Sequence, residues 1–330
     1  MKKILITGAT GTFGKEFIST LLDNYNLEKI VVYSRDELKQ YEMQQKWPDD
    51  GNTPLRYFLG DVRDYQRLKM AMDDIDTVIH AAALKQVPAA EYNPFEAVKT
   101  NIIGGQNVID AAVSKNVKKV IALSTDKAAA PINLYGATKL ASDKLFIAAN
   151  NYKGNRDIKL SVVRYGNVIG SRGSVVPYFL KEREKGVLPI TDKRMTRFCI
   201  TKSKGVNFVL KCLDVMNGGE LFVPKIPSFR ILDIVDAIAP GIKIKVVGLR
   251  AGEKLHEEMI TQSDAVNTLE FEGYYTILPD LKSWQKKLSK NQIKNSRGKP
   301  CTEEFSYNSK TNPIFLSVEE LKKLILKLEL

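Results

Sequence analysis

Ile4-Leu5-Ile6-Thr7-Gly8-Ala9-Thr10-Gly11-Thr12-Phe13-Gly14 opens the chain with an apolar run, a glycine-rich turn and the start of a helical pattern. Ile4-Leu5-Ile6 reads as a strand and Gly14 to Leu22 as a helix. The glycines between them stand at GxxGxxG spacing. A turn of this kind lets the backbone approach a pyrophosphate, which rests on the helix N-terminus. A glycine pattern alone is a weak signal, but here the strand before and the helix after are both present. Gly8, Thr10, Gly11, Thr12, Phe13 and Gly14 are therefore candidate dinucleotide-binding residues.

Working outward, further apolar runs follow at Ile30-Val31-Val32-Tyr33, Leu55 to Phe58, Val78-Ile79, Val120-Ile121-Ala122-Leu123 and Leu160-Ser161-Val162-Val163. Continuous β-branched runs predict strands buried on both faces, hence a parallel sheet covered by helices. Their alternation with helical patterns over about 165 residues is the doubly wound, Rossmann-like α/β arrangement. After Gly170 the elements shorten and Pro and Gly become frequent. The expected division is a nucleotide-binding domain at 1–168 and a smaller C-terminal α/β substrate lobe at 169–330. The stretch 203–223, with helical Lys204 to Val215 and strand-like Leu221-Phe222-Val223, is expected to return to the first domain. Leu316 to Leu328 reads as an amphipathic helix, with Ser317 as N-cap and Glu320 at the capping-box position.

The 330 residues, 44% apolar and 27% charged, have the composition of an ordinary soluble globular protein. No run approaches the ~20 apolar residues of a membrane span, so a cytoplasmic protein is expected. Three cysteines without CxxC spacing and two histidines argue against a disulfide framework or a metal site. His80 reads as structural, and His256 as solvent-facing in a charged helical stretch. The net charge of +12 includes Lys282, Lys286, Lys287, Lys290, Lys294, Arg297 and Lys299. Without an aromatic-rich motif this cluster reads as a solvated basic face, not a nucleic-acid surface.

The end of the second strand selects the cofactor. NAD binders place an acid there for the ribose hydroxyls. Here the residues are Ser34, Arg35 and Asp36, with Lys39 one turn on. Small Ser34 beside Arg35 and Lys39 suits a 2′-phosphate, so NADP is expected, although Asp36 offers the acid's role to NAD. Asp61-Val62 is placed to contact the adenine, and Ala81 begins a small-residue wall against the cofactor.

Ser124 and Thr125 end the fifth strand, where ligands bind in such sheets. Tyr135 and Lys139, four residues apart, share one face of the next helix. A nearby ammonium and a cofactor's positive charge would lower the phenol's pKa, making Tyr135 a base for a substrate hydroxyl. Asp126-Lys127 supplies an acid and an amine, which suggests a second step beyond oxidation. Lys127 needs a neutral amine to act as base, so burial or Lys139 is expected to lower its pKa.

At this point the chain resembles the extended short-chain dehydrogenase/reductase family, over nearly its whole length. Ala81 to Lys85, Ser124 to Ala129, Arg164 to Val168, Gly170 to Val175 and Arg250 to Glu257 resemble the inverting UDP-N-acetylglucosamine 4,6-dehydratases, which begin pseudaminic acid synthesis for flagellin glycosylation. The resemblance implies that Tyr135 deprotonates the sugar's 4-hydroxyl while NADP takes the hydride from carbon 4. Lys127 then removes the carbon 5 proton, and Asp126 protonates the departing 6-hydroxyl. Hydride returns to carbon 6, and carbon 5 is reprotonated from the opposite face. Similar retaining enzymes carry an acid in place of Lys127. The implied cofactor set adds Lys85, Ser124, Tyr135, Lys139 and Val168. The implied substrate set is Lys85, Thr125, Asn167, Arg172, Gly173, Ser174, Val175, Thr191, Arg250 and Glu253. A homo-oligomer, from dimer to hexamer, is also implied. A UDP-sugar 4-epimerase, which has no need of Asp126-Lys127, and a non-catalytic NADP-binding regulator stay open as alternatives.

Overall fold

In the computed structural model of the chain, the described residues are 1–51, 53–171, 173–279 and 298–328. Strands β1 (Lys3–Thr7), β2 (Lys29–Ser34), β3 (Leu55–Leu59), β4 (Thr77–His80), β5 (Lys119–Thr125) and β6 (Lys159–Tyr165) form a parallel sheet in the order 3-2-1-4-5-6. Helices cross between consecutive strands, so the doubly wound α/β fold expected from the sequence is the one the chain adopts. Ile4, Leu5 and Ile6 are fully buried, as are Ile30, Val31 and Val32. Both faces of these strands are covered, which is why their sequences run continuously apolar instead of alternating.

The order reverses between β1 and β4. Crossovers therefore leave on opposite sides there and open a crevice at the carboxyl ends of the strands. Helix Lys202–Val215 packs against helix Thr12–Asn24. Strand Leu221–Pro224 pairs parallel with β6. Beyond it the sheet turns antiparallel, adding Tyr274–Ile277, Thr268–Phe271 and the short Lys299–Pro300. Residues of the C-terminal third thus complete the central sheet.

A second apolar cluster gathers Val176, Phe179, Leu188, Ile190, Ile231, Ile234, Val235 and Leu321. It holds helices Val175–Glu182 and Ile231–Ile238 and the parallel pair Val187–Ile190 and Lys243–Val246. Helix Val318–Leu326 packs on Ile231–Ile238. Its capping box is the expected one: Ser317 accepts from the Glu320 amide, and Glu320 accepts from the Ser317 amide. Among the described residues no helix is long and apolar enough to cross a membrane. The basic residues at 282–297 lie outside the described residues. Lys299 sits on the exposed edge strand.

Candidate active site

A single cleft of about 1670 Å³ runs from the glycine turn, across the ends of β4 and β5, to the second apolar cluster. Its volume exceeds the ~300–1,000 Å³ of a pocket for one small ligand and suits two ligands end to end. Every sequence-predicted site residue that the structure describes lines it, except Asp126. Arg172 lies outside the described residues.

At the glycine turn, the Gly8 amide donates to Tyr33 O and the Gly11 amide to Gly8 O, which curls the loop under the helix start. A Cβ on Gly14 would fall 2.3 Å from Ala9 O, so only glycine permits this closeness. Gly11, the N-cap of helix Thr12–Asn24, offers no side-chain cap, and no acid stands in the first turn. The helix's first amides are thus left for an anionic ligand. The fit to a pyrophosphate rests on this uncapped start.

At the end of β2 the Ser34 hydroxyl bonds that of Thr10, 2.8 Å away. Asp36 is engaged elsewhere: its carboxylate accepts from the Lys39 amide at 3.0 Å as N-cap of helix Glu37–Lys46. It also pairs with the Lys39 amine. Arg35, half exposed, stands 3.5 Å from Asp61. Burial raises the Asp61 carboxyl's proton affinity, but bonds from Arg63 outweigh it and hold the pKa below the usual value. Val62 is buried against Gly104.

Ser124 and Thr125 close β5, and a 3-10 turn, Asp126–Ala128, follows. The Ser124 hydroxyl donates to Asp143 at 2.7 Å, and Asp143 also accepts from Arg164. Ser124 therefore braces the strand end against the buried helix face. Helix Leu134–Tyr152 begins at Asn133, whose Oδ1 accepts from the Gly136 amide at 2.8 Å. A Cβ on Gly136 would lie 2.2 Å from Lys127 O, so glycine lets this helix press onto the turn. Tyr135 and Lys139 consequently face the cleft above Lys127.

The Lys127 amine lies 3.0 Å from Asp126 Oδ1 and 3.1 Å from Glu257 Oε1. Burial alone would lower its pKa, but the two carboxylates outweigh it and raise the value well above that of a free lysine. This corrects the sequence expectation of a lowered pKa. The reason is Glu257, whose approach no local pattern announces. Asp126 is 1% exposed and does not line the cleft. Its Oδ1 accepts from Thr125 and Lys127, and its Oδ2 is buried without a partner. Burial pushes Tyr135 up to about 12, opposed first by the Lys127 charge and then by the Thr125 hydroxyl. The charge reaching the phenol most strongly is that of Lys127, not Lys139. Burial lowers the Lys139 amine, with Asp143 opposing.

On the substrate side, Asn167 Oδ1 and Ser174 Oγ are buried without hydrogen-bond partners. Both belong to residues of the cleft wall, as expected of groups that await a ligand. Lys85, Gly173, Val175 and Val168 also line the wall, and Thr191 bonds Met195. Arg250 is exposed, and its amide donates to Glu253. Glu253 lies 3.5 Å from Arg197. The stretch Arg250–Glu257 is irregular, not helical, and His256 is half-buried against the Thr196 hydroxyl, 2.8 Å away. His80 is buried, bonds Thr7 and stacks on Phe146.

The sequence reading passed over Arg197, and it took Glu257 only as the end of a motif, with no role of its own. Arg197 is a buried guanidinium on strand Thr196–Ile200, 3.6 Å from Glu257 Oε1. Among the described residues no cluster of metal-ligating type occurs.

A family model described as polysaccharide biosynthesis protein matches residues 4–279. An inverting UDP-N-acetylglucosamine 4,6-dehydratase of Campylobacter jejuni subsp. jejuni serotype O:2 is 56% identical over 329 residues, covering 98% of this chain and 97% of that protein. A UDP-glucose 4-epimerase of Rickettsia akari is 38% identical, covering 99% of this chain and 96% of that one. The X-ray structure of Pen from Bacillus thuringiensis, 37% identical, matches with a TM-score of 0.88 over 98% of this chain and 97% of that chain. With the family match spanning most of its length and the motifs gathered in one cleft, the chain belongs to the polysaccharide biosynthesis protein family.

Proposed function

We propose that the chain is an inverting UDP-N-acetylglucosamine 4,6-dehydratase that works with bound NADP and supplies pseudaminic acid synthesis. Lys127 carries the reading: an amine on the cleft wall below Tyr135, hydrogen-bonded to a buried acid. A simple epimerase has no use for that pair. The near-full-length likeness to the Campylobacter jejuni dehydratase supports the same activity.

The cofactor's pyrophosphate would rest on the amides after Gly11. Its 2′-phosphate would meet Ser34, Arg35 and Lys39. Asp36, spent on capping its helix, is poorly free to hold a ribose hydroxyl, which favours NADP over NAD. When bound, the nicotinamide accepts hydride from carbon 4 of the sugar and returns it to carbon 6.

Tyr135 takes the proton of the 4-hydroxyl. The high pKa of the ligand-free site falls as cationic charge arrives beside it. Lys139 would hold the cofactor's ribose when the cofactor is bound. The resulting ketone acidifies the carbon 5 proton. Lys127 is an ammonium in the resting site, so it first passes one proton along its 3.0 Å hydrogen bond to Asp126. An N–H bond breaks and an O–H bond forms. That single transfer yields an amine able to take the carbon 5 proton and a carboxylic acid that, standing behind the cleft wall, reaches the leaving 6-hydroxyl through the Thr125 hydroxyl bonded to its Oδ1. Asn167, Ser174 and Arg250 bind the sugar and diphosphate, and Glu253 the ribose.

Proton NMR of the purified protein with UDP-N-acetylglucosamine in deuterated water, without added cofactor, tests the reading. The expected result is a new upfield methyl signal, deuterium at carbon 5 and L-arabino couplings. Conversion to the galacto sugar without a methyl signal would replace this reading by the 4-epimerase suggested by the Rickettsia relative.

A further inference from the structure

We propose that Glu257 is the positioning residue of Lys127, anchoring its amine to the cleft wall from a segment distant in sequence. This rests on the dehydratase reading and deepens it. Asp126 and Lys127 are neighbours on one 3-10 turn, so their ion pair alone leaves the amine free to swing with the turn. Glu257 comes from a segment far along the chain and reaches the same amine at 3.1 Å.

Glu257 is itself firmly held. Its amide donates to Ser309 Oγ at 2.9 Å, and its carbonyl accepts from the Ser309 amide at 2.7 Å. The side chain is 2% exposed, and Oε2 is buried without a partner. Three residues earlier, the Lys254 amine donates to Ala129 O at 2.7 Å, so the segment is clasped to the far end of the Asp126–Lys127 turn as well. A buried carboxylate with one oxygen facing Lys127 and Arg197 and the other unused is costly for a fold to keep without purpose. Its use here is that Lys127 keeps an acceptor after one of its protons has gone to Asp126. The amine then stays at the wall while it faces carbon 5.

The charged and titratable groups facing Lys127 are Asp126 on its own turn, Tyr135 on the catalytic helix, Arg197 on strand Thr196–Ile200, and Lys254 and Glu257 on the clasping segment. Two anions, the two other cations and the phenol surround it, so removing Glu257 alone leaves the cations in excess. Glu257→Gln should therefore make Lys127 easier to deprotonate. Glu257→Asp keeps the charge and shortens the reach.

Trace labelling with acetic anhydride across a pH series, read at the Lys127 peptide by mass spectrometry, reports the titration of this one amine. In Glu257→Gln the Lys127 amine should label about tenfold faster or more at a fixed pH, because more of it is neutral and it is no longer held. For the dehydration of UDP-N-acetylglucosamine, kcat should fall about tenfold with KM held within about threefold, because the anchor acts on the amine and not on substrate binding. Glu257→Asp should keep labelling near the wild-type rate and recover part of kcat. A merely structural glutamate would lower the active fraction in both variants and leave kcat per folded active site at the wild-type value. An unchanged Lys127 labelling rate in Glu257→Gln, or an unchanged kcat per folded active site, overturns the proposal. If the wild-type protein makes no 4-keto-6-deoxy product, the dehydratase reading fails, and the labelling series still judges the Glu257 anchor.

Discussion

At the residue scale, Tyr135 is the most exposed to test. Its phenol is buried and held near 12 without ligands, so its basicity depends on charge brought close. Tyr135→Phe should lower kcat by about 10²–10⁴-fold, the range lost with a general base, and leave nicotinamide-cofactor affinity within a small factor. Initial rates and a cofactor titration check both halves. His80 gives a pH prediction for stability. Burial, then the Lys139 charge, pushes its pKa down to about 3. An unfolded histidine titrates near 6.5, so between those values the unfolded chain binds the extra proton. Stability from this group is full above about pH 6.5 and drains as pH falls toward 3, at up to about 1.4 kcal/mol per unit. Urea unfolding at pH 7 and pH 5 should show a loss about 2 kcal/mol smaller in His80→Gln than in the wild type. The role of His80 as a buried structural group was readable from its place at a strand end. The state of Lys127 was not. Its neighbours Asp126 and Tyr135 are close in sequence, but Glu257 and Arg197 reach it only through the tertiary fold.

At the element scale, the turn Asp126–Ala128 and the helix Leu134–Tyr152 meet through Gly136. Gly136→Ala has no room for its methyl against Lys127 O, so the helix must back away. The expected outcome is a loss of about 1–3 kcal/mol of stability and at least a tenfold drop in kcat, by thermal melts and rates on the same sample. Ser317→Ala removes the hydroxyl of a complete capping box and should cost about 1 kcal/mol in a urea melt, with activity unchanged. That box was legible because its two residues lie three apart and precede an apolar pattern. The parallel strands were legible for a similar reason, since burial on both faces writes itself as uninterrupted Ile, Leu and Val. The antiparallel strands Thr268–Phe271 and Tyr274–Ile277 went unread. They are four residues each, carry Glu270 and Thr276 among their apolar residues, and turn at Glu272-Gly273 without a strong hairpin dipeptide.

At the scale of the whole molecule, the cleft is closed by contacts between distant parts of the chain. Asn133 serves twice: its Oδ1 caps helix Leu134–Tyr152, and its Nδ2 donates to Gly252 O at 2.8 Å. Asn133→Asp keeps the cap and deletes the clasp. KM for the UDP-sugar should rise about three- to tenfold, the worth of one lost hydrogen bond, while cofactor affinity stays put. Isothermal titration with UDP and with the nicotinamide cofactor separates the two effects. The sheet itself has a consequence during synthesis. Strand Leu221–Pro224 joins β6 and waits for Tyr274–Ile277 to cover its outer side. Until the ribosome has released that later strand, the nascent chain displays an unpaired β-edge beside a finished nucleotide-binding half. A ribosome stalled before Tyr274 would therefore hold out the form most prone to pair with a neighbouring nascent copy, and most in need of a chaperone.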